Sequence, residues 1–466
     1  MEKLKAFLPL GVACICWGVM IYTFFPALGS YGGEDSFCHY LFARYSWKHP
    51  SLFLDHWGKP LFTLLASPFA QAGWQGMVFF NLICSAATSW IAYRIALIIK
   101  LPLPWLVFPI LCFNPLFFVC AGSGLTEPLF ALCWSCVVLA FLNKRYIMAA
   151  VFASTLPFLR SEGNLLILYL IPFFILEKNA NKLPWLSVFT LIYMGIGYFA
   201  KSGNWAWIWN ENPYVGAADI YGKGGFFDLF KNNREMFGVP ESILLVVGLL
   251  GIGKMIYVNY NNQKDNIYYN NRVYLIWGLT LGSFLVYITA HSWFWYQGLY
   301  GSYGLVRVLG AVIPMATLVV WVGISSIWVA LKQYPTIAAG IVMIPLAFVV
   351  YDPFFQYEFP FPLSTEQTGL KKAAQRFAIP DSITVFVQAA SWHVYTETDP
   401  YDTLHARTLK DWGHIPAKSG DWVVWDQHFG PQESQIPLKR LKQDSSLIFL
   451  DSIGEKEYYL LRFQVK

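Results

Sequence analysis

Residues 6–47 read AFLPLGVACICWGVMIYTFFPALGSYGGEDSFCHYLFARYSW, and the fold class turns on this stretch. Its opening run, 6–28, is apolar, follows Lys3 and Lys5, and matches the roughly 20 residues a helix needs to cross the hydrocarbon of a bilayer. It is longer than a signal-peptide core and has no clear small-residue cleavage site, so it reads as a membrane helix. The chain then turns through 29–36 (GSYGGEDS), which places Glu34 and Asp35 just beyond the membrane. Residues 36–47 (SFCHYLFARYSW) can form an interfacial helix, with Asp35 and His39 one turn apart on one face.

The rest of the chain repeats the opening pattern. Of 466 residues, 56% are apolar, 18% aromatic and only 13% charged, against about 25% charged in an average soluble protein. A soluble enzyme is excluded. The formal net charge of +5 is too weak to indicate nucleic acid. Of the eight cysteines only Cys38 lies in a polar stretch, and no disulfide framework is implied.

Apolar runs near 6–28, 76–98, 103–120, 127–142, 146–159, 164–176, 184–200, 241–257, 273–290, 306–331 and 336–351 predict about eleven spans. With the N-terminus inside, Lys3, Lys5, Arg94, Lys100, Lys144, Arg145, Lys178, Lys182, Lys254, Lys264, Arg272 and Lys332 fall in short cytoplasmic connections. The fold class is therefore a polytopic α-helical membrane domain, 1–352, with outer loops at 29–75 and 201–240. A small α/β domain follows outside the membrane, at 353–466. Its signals are a helix over 366–377 and strand-like runs at 382–388 (SITVFVQ), 421–425 (DWVVW), 446–451 (SLIFLD) and 457–463 (EYYLLRF). His393, His405, His414 and His428 are scattered through it and read as surface residues. Residues 60–72 are too short to span and read as an amphipathic interfacial helix. Trp205, Trp207 and Trp209 read as an aromatic belt, with sugar stacking as the alternative.

Ionisable residues at membrane depth are costly and mark function. Glu34 and Asp35, Lys59, Glu127, Arg160 with Glu162, and Arg307 all fall on the outer side, and His39 lies beside the first pair. Lys and Arg density alone set that orientation, so the convergence is independent of it and suggests one outward-facing polar cavity. The competing reading is that each charge caps a helix or anchors it in headgroups. It is strongest for Glu127, where 126–128 (TEP) makes an ordinary helix start. A carboxylate at the mouth of a low-dielectric cavity is suited to act as a general base towards a hydroxyl.

The acid pair in the first outer loop, the interfacial segment, the many spans and the outer C-terminal domain together resemble the GT-C superfamily of integral membrane glycosyltransferases. Residues 55–69 (DHWGKPLFTLLASPF) are similar to the K-P-P-L segment of bacterial members related to protein O-mannosyltransferases, with a single proline here. Residues 157–166 (PFLRSEGNLL) resemble the Arg and acid that follow an outer-facing helix in polyprenyl-phosphate mannosyltransferases. The resemblance implies a polyprenyl-phosphate-linked sugar donor, a glycan, lipid or protein acceptor, and transfer of a hexose such as mannose with inversion. It implies Asp35 as the base, with Glu34 as the alternative, and Lys59, Arg160 and Arg307 as partners of the donor phosphate. Glu127, Glu162 and His39 complete the candidate substrate-binding set. No cofactor is required on this reading. A divalent metal held by Asp35, His39 and Glu127 is an open alternative, although no tight ligand motif supports it. The lack of an N-x-S/T site fits a bacterial inner membrane. The rival functions are a transporter or flippase of lipid-linked sugars, which would show repeats and midplane charges, and a non-catalytic scaffold.

Overall fold

A computed structural model describes every residue except 1, 202, 212, 214–221, 263–266, 301, 378, 381 and 456–457. Part of the second outer loop, and Lys264 in the connection expected on the cytoplasmic side, therefore lie outside the described residues. Among the described residues, seven helices are long and apolar enough to cross a membrane: Phe7–Phe24, Trp74–Ile99, Ala180–Ala200, Asn233–Val258, Arg272–Gln297, Ile313–Ala330 and Pro335–Gln356. The chain is an integral membrane protein.

The helices that build the site are α1 (Glu2–Phe24), α2 (Gly33–Tyr45), α3 (Pro60–Ala70), α4 (Trp74–Ile99), α5 (Val107–Cys112), α6 (Pro115–Ala121), α7 (Glu127–Leu142), α8 (Tyr146–Thr155) and α9 (Gly163–Leu176). They are followed by α10 (Val188–Ala200), α11 (Asn233–Asn262), α12 (Ser283–Gln297), α13 (Ile313–Ala330) and α14 (Pro335–Gln356).

Of the eleven expected spans, seven meet the length and apolarity of a crossing among the described residues. The run 103–120 is bent by 68° between Pro104–Cys112 and Pro115–Ala121, so it counts as an eighth span only if the two pieces are taken as one. The bend falls at Asn114, whose Oδ1 accepts from Phe117 N (3.0 Å) while its Nδ2 donates to Met236 O (2.8 Å) and Glu241 Oε2 (2.7 Å). Those bonds satisfy the groups freed by the break. At 16 residues α7 is about 24 Å long, short of the ~30 Å hydrocarbon layer, and α8 and α9 are shorter still. These three helices are apolar but shorter than a full crossing, and Glu127, Arg160 and Glu162 stand at their ends.

Packing separates the inside of the bundle from its lipid face. Helix α7 is buried along most of its length, and Trp134 Nε1 donates to Ser283 Oγ at 3.2 Å. By contrast Ile15, Phe199 and Ile344 project outward from α1, α10 and α14. Apolar side chains facing outward carry no penalty in lipid. Helix α3 forms where the interfacial helix was expected. It buries Phe62, Thr63 and Ala66 while exposing Leu64 and Leu65, so both its faces are largely apolar.

The C-terminal region opens with α15 (Thr365–Arg376), held by a capping box in which Ser364 Oγ accepts from Gln367 N and Gln367 Oε1 accepts from Ser364 N, both at 3.1 Å. A five-stranded sheet follows, formed by β1 (Val385–Phe386), β2 (Ala406–Arg407), β3 (Trp422–Asp426), β4 (Leu447–Glu455) and β5 (Tyr458–Val465) in the order β2-β1-β3-β5-β4. The first three strands are parallel, and β5 joins β3 and β4 antiparallel. Between β1 and β2 lies α16 (Ala390–Thr396). The histidines are not all surface groups: His393 on α16 is 7% exposed, and His428 pairs with Glu366.

This region is docked on the first loop. Gly29 N donates to Phe361 O (3.1 Å), and a Cβ at position 29 would collide with the Pro362 carbonyl. Asp399 receives both Lys48 Nζ (2.8 Å) and His49 Nε2 (2.9 Å). The Tyr401 ring packs on Phe42, Tyr45 and His49.

Candidate active site

The site starts from two glycines. Gly32 and Gly33 both have positive φ (83° and 53°), a conformation that costs a residue with a Cβ, and together they let α2 begin directly after the turn. Asp35 then stands in the first turn of α2, where the helix dipole favours an anion. Arg307 reaches it from the 3₁₀ turn Val306–Ala311 just before α13. Its Nη2 contacts Asp35 Oδ2 and its Nη1 donates to Gly32 O at 3.1 Å. The Asp35 side chain stays 41% exposed while that of Arg307 is 16% exposed.

A second charged group gathers at the break between α8 and α9. Arg160 Nη1 donates to Glu127 Oε1 (2.6 Å) and Thr126 Oγ1 (3.2 Å), and its Nη2 donates to Glu162 Oε1 (3.0 Å). The helix start expected at 126–128 forms, with Thr126 at the cap position, Pro128 in the first turn and Glu127 at its positive end, but the Thr126 hydroxyl makes no cap bond and accepts from Arg160 instead. Glu127 is 1% exposed, and its Oε2 accepts no hydrogen bond. Burial pushes the Glu162 carboxyl up, but the Arg160 guanidinium, with His291, pulls it further down, to about 2.

His39 joins the two groups. It is 7% exposed, stacked on Trp57 (4.9 Å between rings) with Phe62 at its edge, and its Nδ1 has no hydrogen-bond partner. Burial holds its imidazole down to about 3, with Asp35 drawing it up and Lys59, Arg160 and Arg307 pressing it further down. These four charges thus all bear on one ring. Lys59 is 8% exposed, holds φ 61° and ψ 94° immediately before α3, and donates from Nζ to His56 O at 3.1 Å. Such a backbone conformation is strained for a residue with a side chain, and strain of this kind clusters at functional sites.

Of the residues marked in the sequence, Asp35, His39, Lys59, Glu127, Arg160, Glu162 and Arg307 come together. Glu34 does not. Its Oε2 accepts from Ser391 N of the C-terminal region at 2.8 Å, and burial drives its carboxyl up to about 7. Among the described residues no three His, Cys, Asp or Glu side chains are grouped to hold a metal ion, and Asp35 and Glu127 are each engaged by an arginine.

The sequence reading missed His291 and Tyr287, both fully inside the protein on α12. His291 Nε2 lies 3.6 Å from Glu162 Oε1, and the Tyr287 ring stands 4.7 Å from that of His291. The signal was present: a histidine within an apolar span, one turn after a tyrosine in 287–297 (YITAHSWFWYQ). Trp207 also departs from the belt reading. It is 1% exposed and packs on Tyr193 and His56, whereas Trp205 and Trp209 are exposed.

No protein-family profile and no curated protein matches the chain. Its fold is similar to that of ArnT from Cupriavidus metallidurans. The structure of that protein bound to undecaprenyl phosphate superposes with a TM-score of 0.58 at 10% identity, covering 99% of this chain and 98% of that one. The apo structure gives a TM-score of 0.56 over the same shares, also at 10% identity.

Proposed function

We propose that this protein is a membrane glycosyltransferase that moves a sugar from a polyprenyl-phosphate-linked donor to a hydroxyl acceptor on the outer face of the membrane, with inversion. The observation that carries this reading is the Asp35–Arg307 contact, a carboxylate open to solvent and held by a guanidinium that is largely covered. The fold it shares with a protein solved with undecaprenyl phosphate supports a donor of that chemical class.

The donor phosphate would take Arg307, with Lys59 and Arg160 adding positive charge where the leaving group accumulates electrons. As Arg307 turns to the phosphate, the Asp35 carboxylate is released to meet the acceptor hydroxyl. It accepts the proton of the acceptor hydroxyl as that oxygen bonds to the anomeric carbon. The bond from carbon to phosphate oxygen breaks on the opposite face, and its electron pair leaves with the polyprenyl phosphate. Glu127 and Glu162 orient Arg160, and His39 and His291 line the site. Glu34 is assigned to the docking of the C-terminal region and not to proton transfer. Mannose is the first sugar to test, and the surface holding the first loop and the C-terminal domain faces the periplasm of a bacterial inner membrane.

The test is donor consumption by the purified protein across polyprenyl-phosphate-linked hexoses, with mannose, glucose and an amino sugar in parallel. Release of polyprenyl phosphate with one of them is the predicted result. Movement of the intact donor across vesicle bilayers without release would establish the flippase instead.

A further inference from the structure

The turn 122–126 (GSGLT) joins α6 to α7 and is buried throughout, although its serine, threonine and peptide groups are polar. Buried groups of that kind need partners within the protein. Asn81, 0% exposed on α4, supplies two of them: its Nδ2 donates to Ser123 O (2.7 Å) and to Leu125 O (2.9 Å). Ser123 closes the turn on itself, its Oγ donating to Cys120 O (2.6 Å) and accepting from Leu125 N (3.1 Å). The Gly124 N–H is met from another element, by Ser36 Oγ of α2 at 3.2 Å.

Ser36 follows Asp35 in the chain and is itself 0% exposed. Its hydroxyl accepts from Gly124 N and donates to Tyr31 O (2.8 Å), so one oxygen fastens the 29–36 loop to the turn. The two segments approach too closely for further side chains. A Cβ at Gly124 would lie 2.4 Å from Ser36 O, and one at Gly32 would lie 2.7 Å from the Leu125 side chain. The start of α2 is therefore seated on this turn, with Leu125 against Gly32 and Gly124 against Ser36. The same turn runs directly into Thr126 and Glu127, which hold Arg160. Asp35 and Arg160 are thus referred to one piece of chain.

That seat gains importance when a donor binds. Without one, the start of α2 has two anchors: Arg307, which contacts the Asp35 carboxylate and donates to Gly32 O, and the Ser36 hydroxyl. In the proposed reaction Arg307 turns to the phosphate and the first anchor is given up. The second uses no group of the donor site.

We propose that Ser36 is a positioning residue, whose bridge between Tyr31 O and Gly124 N keeps Asp35 in register with Arg160 and the donor once Arg307 has moved to the phosphate. The positioning role rests on the glycosyltransferase reading; the tie between α2 and the turn does not.

The test compares purified full-length wild type with Ser36→Ala, Ser36→Cys and Ser46→Ala. Ser46, also 0% exposed, stands at the other end of α2 and donates only to the nearby Ala43 O (3.0 Å), so it reports the loss of a buried hydroxyl alone. With a donor and acceptor pair that wild type uses, at equal amounts of folded protein, Ser36→Ala should lower kcat about 10–10²-fold, the scale of a misplacement of about 1 Å. Its Kd for polyprenyl phosphate should be unchanged. Ser36→Cys, whose thiol is a weaker donor and acceptor, should fall between the two, and it carries the test if the alanine variant does not fold. Ser46→Ala should keep the kcat of wild type. In hydrogen–deuterium exchange the Gly124 amide should exchange about tenfold faster in Ser36→Ala, the loss of one good hydrogen bond. Addition of polyprenyl phosphate should loosen residues 29–36 in that variant and not in wild type. Unaltered kcat with unaltered exchange at Gly124 in Ser36→Ala overturns the proposal. So does an equal fall in kcat for Ser46→Ala, or a raised Kd for polyprenyl phosphate at unchanged kcat. If wild type transfers from no donor, the enzymatic reading falls with the positioning role; faster Gly124 exchange in Ser36→Ala would then retain the tie, and unaltered exchange would remove that as well.

Discussion

Asp35 and Glu34 are neighbours in sequence and face different parts of the molecule. Successive residues of a helix are rotated by about 100°, so in the first turn of α2 one acid meets Arg307 while the other meets the backbone of Ser391. The acid pair was legible in the sequence, but the division of labour was not, because it depends on a contact more than three hundred residues away. Glu34 has its own pH signature. Its carboxyl rises from the ordinary 4.5 to about 7 on burial, so between those values the folded protein holds a proton that the unfolded chain releases. The stability it contributes is fully present below about pH 4.5 and is lost as pH rises through about 7. Glu34→Gln keeps an oxygen for the Ser391 N–H and removes the titration. Thermal unfolding in detergent should therefore show wild type losing more Tm than the variant between about pH 5 and 8. Equal slopes would place the titration elsewhere.

At the scale of elements, hydropathy located the apolar segments but could not measure how far each reaches. Residues 127–142, 146–159 and 164–176 read as spans because their composition suits lipid; as helices they are only 10–16 residues long, and their ends carry the charges. The strand β2 was invisible because two residues make no pattern, and His393 was read as a surface residue because nothing local reports the packing of α16. The Glu127–Arg160 pair fixes the start of α7 to the break between α8 and α9. Removing one partner of a buried pair typically costs about 3–5 kcal/mol, whereas replacing both by groups of similar volume can be nearly neutral. Glu127→Ala should accordingly lower the unfolding temperature strongly. The triple variant Glu127→Gln, Glu162→Gln with Arg160→Met, which leaves neither carboxylate unpaired, should recover most of the stability yet remain poor in turnover, because a cation of the donor site is gone. Recovery of both would make the pair purely structural.

For the whole molecule, the C-terminal domain clasps the first loop at Gly29, Glu34 and Lys48 with His49; that loop supplies Lys59, and the ends of membrane helices supply Arg160 and Arg307. Architecture of this kind has an obligatory sidedness. Cysteine introduced at Leu404, in the C-terminal domain, should react with an impermeant thiol reagent applied from the periplasmic side, and cysteine at Lys332 only after the inner face is opened; both residues are exposed. The reverse pattern would invert the topology and remove the outer donor. The central claim is that Asp35 takes the acceptor's proton, and it is tested most directly by comparing Asp35→Asn with wild type at equal amounts of folded protein, on a donor that wild type consumes. Transfer should fall by about 10²–10⁴-fold with the Kd for polyprenyl phosphate unchanged; near-normal transfer by Asp35→Asn would contradict the account.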